Sequence, residues 1–212
     1  LRLMALYEPV AKGMWKYFEA KFAPEVENRE KKCAAAERQT LSAIKSINTG
    51  VREKDDLVKN ILNGVMNFLS NILKTNYYVK DKMALSFRLD PRFMVFYEGL
   101  AESYKQAFPK DRPFGVFYFY NINTVGFQVR FSDIARGGWR TVIPKLSGHE
   151  LERTDVYGFT KDEIFKEVYV LAHTQHMKNK DIYEGGSKMI CLIKQENPST
   201  QRACLFESQR CI

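Results

Sequence analysis

The chain has 212 residues, 45% of them hydrophobic, and a formal net charge of +8. This length holds one large domain or two small ones, and the apolar content excludes a globally disordered chain. No apolar run approaches the roughly 20 residues that a membrane-spanning helix needs. The four cysteines form no C-x-x-C pair, so we expect reduced thiols in an intracellular protein, with no metal site and no membrane association.

The two ends of the sequence predict an internal fragment of a longer protein. The first residue is Leu1 rather than methionine, and the chain stops at Ile212 without an obvious closing element. Under this interpretation the net charge belongs to the fragment and carries little information about the whole protein. The absence of a secretory signal is equally uninformative.

Residues 1–76 are predicted to form a helical segment. Apolar residues recur near helical spacing over 3–22, where Pro9 would begin or kink the helix. A second helix is expected over 24–47, because proline is favoured at a first helical position. The wide apolar stripe over 57–73 indicates a third helix.

After this segment the hydrophobic period changes from helical to alternating. Residues 83–90 alternate and predict a strand. Residues 114–120 are apolar on both faces, which is typical of a fully buried strand. Residues 126–131 alternate again, so we expect a β-hairpin, and residues 97–108 predict a short helix before it. The fold class is therefore mixed α/β.

The remaining part, 77–212, is predicted to be a mixed sheet packed with helices, with a polar exposed loop over 144–154. Thr160 and Glu163 form the S/T-x-x-E pattern of a capping box, which predicts a helix start. Apolar residues then recur at steps of four and three, at Ile164, Val168 and Leu171. Continuing this count reaches Gln175 and Lys178, so we expect an amide and an ammonium on the inward face.

Three segments are candidates for binding an anion. Adjacent glycines in Arg136-Gly137-Gly138 expose backbone N–H groups beside a cation, which suits a carboxylate, although a plain turn has the same composition. Burying an unpaired ammonium is costly, so an inward Lys178 would need an anion, unless it extends to water from a frayed helix end. Lys188 follows Gly185-Gly186, where the backbone can approach a ligand closely.

Together the three cations predict a small anionic substrate and proton transfer by a lysine. Arg136, Lys178 and Lys188 would attract a dicarboxylate, and like charges with partial burial favour a neutral amine that can act as a base. His173 and His176 are expected on a solvated helix face rather than at a metal. The alternative function is a basic, non-enzymatic module that binds nucleic acid through its charge and the arginine-glycine-glycine segment.

At these residues the sequence resembles a known family. FSDIARGGWRTV (131–142) followed by EVYVLAHTQHMKNKDIYEGGSK (167–188) is similar to NAD-dependent glutamate dehydrogenase, in particular the long-chain class of fungi and protists. FRLDPRF (87–93) and GVFYFYNINTVGFQVRF (115–131) extend the match. The resemblance implies that 77–212 is a truncated substrate-binding domain of the dimerisation type.

The resemblance also implies roles for individual residues. Lys188 looks like the catalytic lysine that activates water and stabilises the carbinolamine. Gln175 and Lys178 resemble the pair that holds the substrate α-carboxylate. Arg136, Gly137 and Gly138 would help to hold the substrate, with arginine where many relatives have lysine. A planar guanidinium fork binds carboxylate differently from a point charge.

The resemblance further implies a full enzyme that oxidises L-glutamate to 2-oxoglutarate and ammonium, in amino-acid catabolism, as a homo-oligomer. NAD would be bound by a Rossmann domain that this chain lacks, because no G-x-G-x-x-G occurs in it. The catalytic aspartate is expected beyond Ile212, so the fragment alone should be inactive. Mitochondria are the expected compartment, with the cytoplasm as the other possibility.

Overall fold

A computed structural model describes residues 2–100, 106–135, 138–143, 150–178 and 184–193. The chain divides into two compact units, the first ending at Ile72 and the second beginning at Leu73. The described residues form six helices and a six-stranded sheet with antiparallel and parallel pairs. The predicted mixed α/β class is therefore confirmed.

The first unit is helical. Its four helices are α1 (Arg2–Leu6), α2 (Glu8–Phe22), α3 (Arg29–Lys45) and α4 (Arg52–Asn71). Pro9 lies in the first turn of α2, where its missing N–H costs no hydrogen bond. The buried core of this unit includes Val10, Met14, Ile44, Leu62 and Met66.

Two helical predictions in this unit need correction. The helix expected from residue 24 begins at Arg29, whose guanidinium donates to the Ala20 and Ala23 carbonyls at 3.3 and 2.8 Å. These bonds satisfy the C-terminal carbonyls of α2, so the intervening residues form the connection. The apolar stripe of α4 is also narrower than predicted, because Leu57 and Ile61 are exposed.

The second unit contains the sheet, with its strands in the order β1-β2-β3-β4-β6-β5. The strands are β1 (Ile72–Thr75), β2 (Leu85–Leu89), β3 (Gly115–Tyr120), β4 (Thr124–Arg130), β5 (Trp139–Val142) and β6 (Met189–Ile193). Strands β2, β3, β4 and β6 pair antiparallel, and β5 runs parallel to β6. The two remaining helices are α5 (Phe93–Leu100) and α6 (Glu150–Lys178).

The β-hairpin prediction is confirmed, since β3 and β4 pair with Phe117 opposite Gln128. The helix predicted over 97–108 is displaced, because α5 begins at Phe93. Asp90 explains the early start: its carboxylate accepts a hydrogen bond from the Arg92 N–H at 2.9 Å, as a helix-capping residue does. Residues 101–105 lie outside the described part of the chain.

The start of α6 also differs from the prediction. The helix begins at Glu150 and continues through Thr160 and Glu163, so these two do not form a helix start. Residues three apart share a face inside any helix, and the capping-box spacing alone therefore does not mark a beginning. Residues 150–154, expected in a loop, are helical, and residues 144–149 lie outside the described ranges.

Aromatic rings join α6 to β4. Phe127 contacts Phe165 with ring centroids 5.3 Å apart, and Phe131 contacts Tyr169 at 5.5 Å, both edge to face. The buried face of the helix comprises Ile164, Val168, Tyr169 and Ala172. Leu171, predicted on this face, is 49% exposed, because the buried residues advance in steps of four.

Gly126 is required at the centre of the sheet, next to β6. A Cβ placed there would lie 1.8 Å from Phe119 Cε1 and 2.8 Å from the Ile190 carbonyl. We expect Gly126→Ala to lower the free energy of unfolding by about 2 kcal/mol or more in chemical denaturation. Gly158→Ala is the control, since α6 has open space there and alanine favours a helix. Equal stability of the two variants would contradict this close packing.

Candidate functional site

The glycine pair Gly185-Gly186 lies against the segment that follows β4. The Gly185 N–H donates to the Ile134 carbonyl at 2.9 Å, and the Gly185 carbonyl accepts from the N–H groups of Ser132, at 3.3 Å, and Phe131. A Cβ on Gly185 would lie 2.6 Å from the Ser132 nitrogen. Only glycine allows this backbone approach, which fixes the residues that lead into β6.

Lys188 lies beside Gly138, so the structure brings together two of the predicted site residues. A Cβ placed on Gly138 would be 3.9 Å from Lys188 Cε. The Met189 N–H donates to the Gly138 carbonyl at 3.2 Å, and Gly138 has φ of +92°, a conformation that favours glycine. Arg136 and Gly137 lie outside the described residues.

Both predicted lysines reach solvent. Lys188 is exposed, and within the described part of the chain its ammonium makes no hydrogen bond or ion pair. Lys178 is also exposed, in the last turn of α6, which corrects the prediction that it faces inward. The alternative of a lysine that extends to water fits this position. The partial burial expected for these amines is therefore absent from the described structure.

Gln175 is half-buried and joins α6 to the glycine segment. Its Nε2 donates to Glu184 Oε2 at 3.3 Å, and Glu184 immediately precedes the glycine pair. No sequence motif singled out Glu184. An acidic residue beside two glycines, nine residues after a predicted amide ligand, was a weak signal that could have found it.

His173 is anchored rather than solvated, which corrects the prediction for this residue. Its Nε2 lies 2.8 Å from Asp111 Oδ2, its ring packs edge to face on Phe131 at 5.2 Å, and its side chain is 21% exposed. The neighbouring Tyr169 hydroxyl donates to the Asp111 carbonyl at 3.2 Å. Burial raises the pKa of Tyr169, so this hydroxyl stays protonated and remains a donor.

The described residues contain no group of three or more His, Cys, Asp or Glu side chains placed to hold a metal ion. The described helices are each too short or too polar to cross a membrane. The site offers an exposed amine, Lys188, beside the backbone of Gly138. Such an amine can transfer a proton to or from a bound molecule, or attract a carboxylate.

Comparisons with known proteins bear on this arrangement. Residues 43–212 match the family described as bacterial NAD-glutamate dehydrogenase, catalytic domain. The chain is 37% identical over 145 residues to glutamate dehydrogenase 2 of Dictyostelium discoideum, covering 68% of this chain and 12% of the relative. It is 39% identical over 133 residues to the NAD-specific glutamate dehydrogenase of Saccharomyces cerevisiae, covering 63% of this chain and 11% of the relative.

The NAD-specific glutamate dehydrogenase of Neurospora crassa is 38% identical over 135 residues, or 64% of this chain and 11% of the relative. The chain thus spans 11–12% of the length of these curated relatives. The matches confirm the resemblance that the sequence motifs indicated.

The two glycines of the pair should respond differently to paired substitutions. Gly186→Ala places a Cβ 2.4 Å from the Ala135 Cβ, so adding Ala135→Gly should restore much of the lost stability. Gly185→Ala meets the Ser132 backbone nitrogen, so adding Ser132→Ala should not restore it. Each single variant should lose about 1–3 kcal/mol in chemical denaturation.

Gly99→Ala serves as the control for this pair, because Gly99 is exposed in α5 with open space around it. It should be neutral or slightly stabilising. If Ala135→Gly and Ser132→Ala restored stability equally in their respective glycine variants, the close backbone approach at Gly185 would be contradicted.

Proposed function

We propose, since the chain belongs to the bacterial NAD-glutamate dehydrogenase catalytic-domain family, that it supplies the substrate-binding part of a glutamate dehydrogenase. The enzyme would oxidise L-glutamate to 2-oxoglutarate and ammonium with NAD as hydride acceptor. The observation that carries the proposal is the exposed Lys188, which lies beside Gly138 and whose ammonium has no partner among the described residues.

Lys188 is the catalytic residue in this proposal. Oxidation of glutamate leaves an iminium carbon, to which water adds as the amine of Lys188 takes up one of its protons. The resulting carbinolamine expels ammonia, which leaves a carbonyl group and takes up a proton to become ammonium. A flexible amine with no competing partner among the described residues suits this task, because a general base must reach the proton that it removes.

The substrate α-carboxylate would be held by the end of α6. Lys178 contributes a mobile cation, and Gln175 contributes an amide that now hydrogen-bonds to Glu184. Gly138, together with Arg136 and Gly137, would hold the substrate from the other side. Together these residues would orient a dicarboxylate and reduce the entropic cost of the chemical step.

NAD, when bound, supplies the hydride acceptor, but the residues of this chain do not fit a dinucleotide. The sequence has no G-x-G-x-x-G, and no glycine follows Gly186. We therefore assign NAD and the catalytic aspartate to other parts of a longer enzyme. Mitochondrial location, a homo-oligomeric state and inactivity of this chain by itself belong to the same proposal.

The alternative of a nucleic-acid-binding module rests on the net charge and on Arg136-Gly137-Gly138 alone. The family match and the position of Lys188 beside Gly138 favour the dehydrogenase. Binding to nucleic acid would weaken steeply with salt and show no preference for dicarboxylates.

Lys188→Ala in the full-length enzyme should lower kcat by about 10²- to 10⁴-fold, the usual contribution of a general acid–base group. Lys188→Arg is the matched variant, because it keeps the charge and loses an amine that can be deprotonated. It should therefore be nearly as inactive. Steady-state turnover of glutamate measures both, and activity within threefold of wild type in Lys188→Ala would remove Lys188 from this role.

Lys178→Ala should weaken 2-oxoglutarate binding by about tenfold or more, because one charged carboxylate contact is lost, while NAD binding stays unchanged. Lys166→Ala, an exposed lysine earlier on α6, is the control and should change neither affinity. Isothermal titration with each ligand gives the comparison. An equal loss of both affinities would indicate a disturbed fold instead of a lost substrate contact.

A further inference from the structure

The segment that carries Lys188 contains a β-bulge. Phe127 on β4 pairs with Ile190, and Arg130 pairs with Gly186. Three steps along β4 therefore correspond to four steps along the segment paired with it, from residue 190 to residue 186. The extra residue falls between Gly186 and Ile190, a stretch that contains Lys188. Bulges of this kind redirect a side chain and are frequent next to active sites.

Ser187 connects the bulge to β4 through all of its polar groups. Its N–H donates to the Val129 carbonyl at 3.1 Å. Its hydroxyl lies 3.4 Å from both the N–H and the carbonyl of Val129, and its own carbonyl accepts from Gln128 Nε2 at 3.3 Å. The hydroxyl oxygen thus accepts from the Val129 N–H, which in a regular ladder would donate to a carbonyl of the neighbouring strand. Ser187 is only 7% exposed.

The bulge changes the face of the sheet on which Lys188 lies. Ile190 lies opposite Phe127, whose ring contacts Phe165 of α6, so Ile190 faces the helix. Strict alternation would place residue 188 on this same covered face. The extra residue breaks the alternation, and Lys188 is exposed with its Cε near Gly138.

We propose that Ser187 is a positioning residue for Lys188, its hydroxyl holding the bulge that aims the amine toward the substrate. This inference rests on the proposed catalytic role of Lys188 and adds the means by which the fold fixes it. The two hydroxyl distances are long for hydrogen bonds, so the contribution is moderate rather than decisive.

Ser187→Ala in the full-length enzyme tests the inference. We expect kcat to fall about tenfold while KM for glutamate stays within threefold, because the amine is misdirected and the carboxylate contacts remain. Thr124→Val is the matched control. It also removes a buried hydroxyl, in this case on β4, whose oxygen has no hydrogen-bond partner among the described residues. It should change kcat less than twofold.

A readout independent of turnover follows the amine itself. Brief acylation and mass spectrometry give the labelling rate of Lys188 relative to Lys166 in the same molecule. The ratio should change at least threefold in Ser187→Ala and stay constant in Thr124→Val. A purely structural effect would lower thermal stability in both variants without changing this ratio.

Gln128→Met is the second variant, for the case in which Ser187→Ala does not fold. Gln128 is half-buried and donates to the Ser187 carbonyl, and methionine keeps its length without a donor. We expect kcat to fall at least threefold and the labelling ratio to change. If the variants that fold have the wild-type kcat and the wild-type labelling ratio of Lys188 to Lys166, the inference is overturned.

The two proposals fail separately. Full activity in Lys188→Ala would remove the catalytic role, and the labelling ratio would still show whether Ser187 aims the amine. An inactive Lys188→Ala beside unaffected Ser187→Ala and Gln128→Met would refute the positioning role alone.

Discussion

The close approach of Gly185-Gly186 to residues 131–135 is the constraint on which the site depends. Three backbone N–H···O contacts around Gly185 join two segments that are distant in sequence, and a side chain at either glycine would collide with its neighbour. Because β6 starts three residues after Gly186, this junction determines the position of Lys188 and the point at which the strand begins. The amine of Lys188 is exposed, and these backbone contacts tie the residues that precede it to the segment that follows β4.

The second support is the packing of α6 on β4. The rings of Phe127 and Phe131 contact the helix, and the His173–Asp111 pair adds a polar contact near its last two turns. The helix end therefore lies where Gln175 can reach Glu184. A half-buried ionisable residue such as His173 resembles a ligand in sequence, whereas here it orders the helix that carries the proposed carboxylate contacts.

The sequence predicted the parts of this arrangement that depend on local chemistry. Paired glycines next to Lys188 indicated close backbone approach, and alternation located the β3–β4 hairpin. The bulge at Ser187 was not predictable, because register depends on partners far along the chain. The prediction that Lys178 faces inward was wrong for a related reason. Counting residues in steps of four and three along a helix does not reveal where the sheet beneath that helix ends.

In the proposed enzyme, this chain would present the amine of Lys188 to a dicarboxylate, and other parts of the longer protein would bind NAD. A crystal structure of the full-length enzyme with 2-oxoglutarate bound tests this most directly. We expect Lys188 Nζ within about 3.5 Å of the keto carbon, close enough for reaction, with one carboxylate near Gln175 and Lys178. Ligand bound elsewhere, with Lys188 still in solvent, would contradict it.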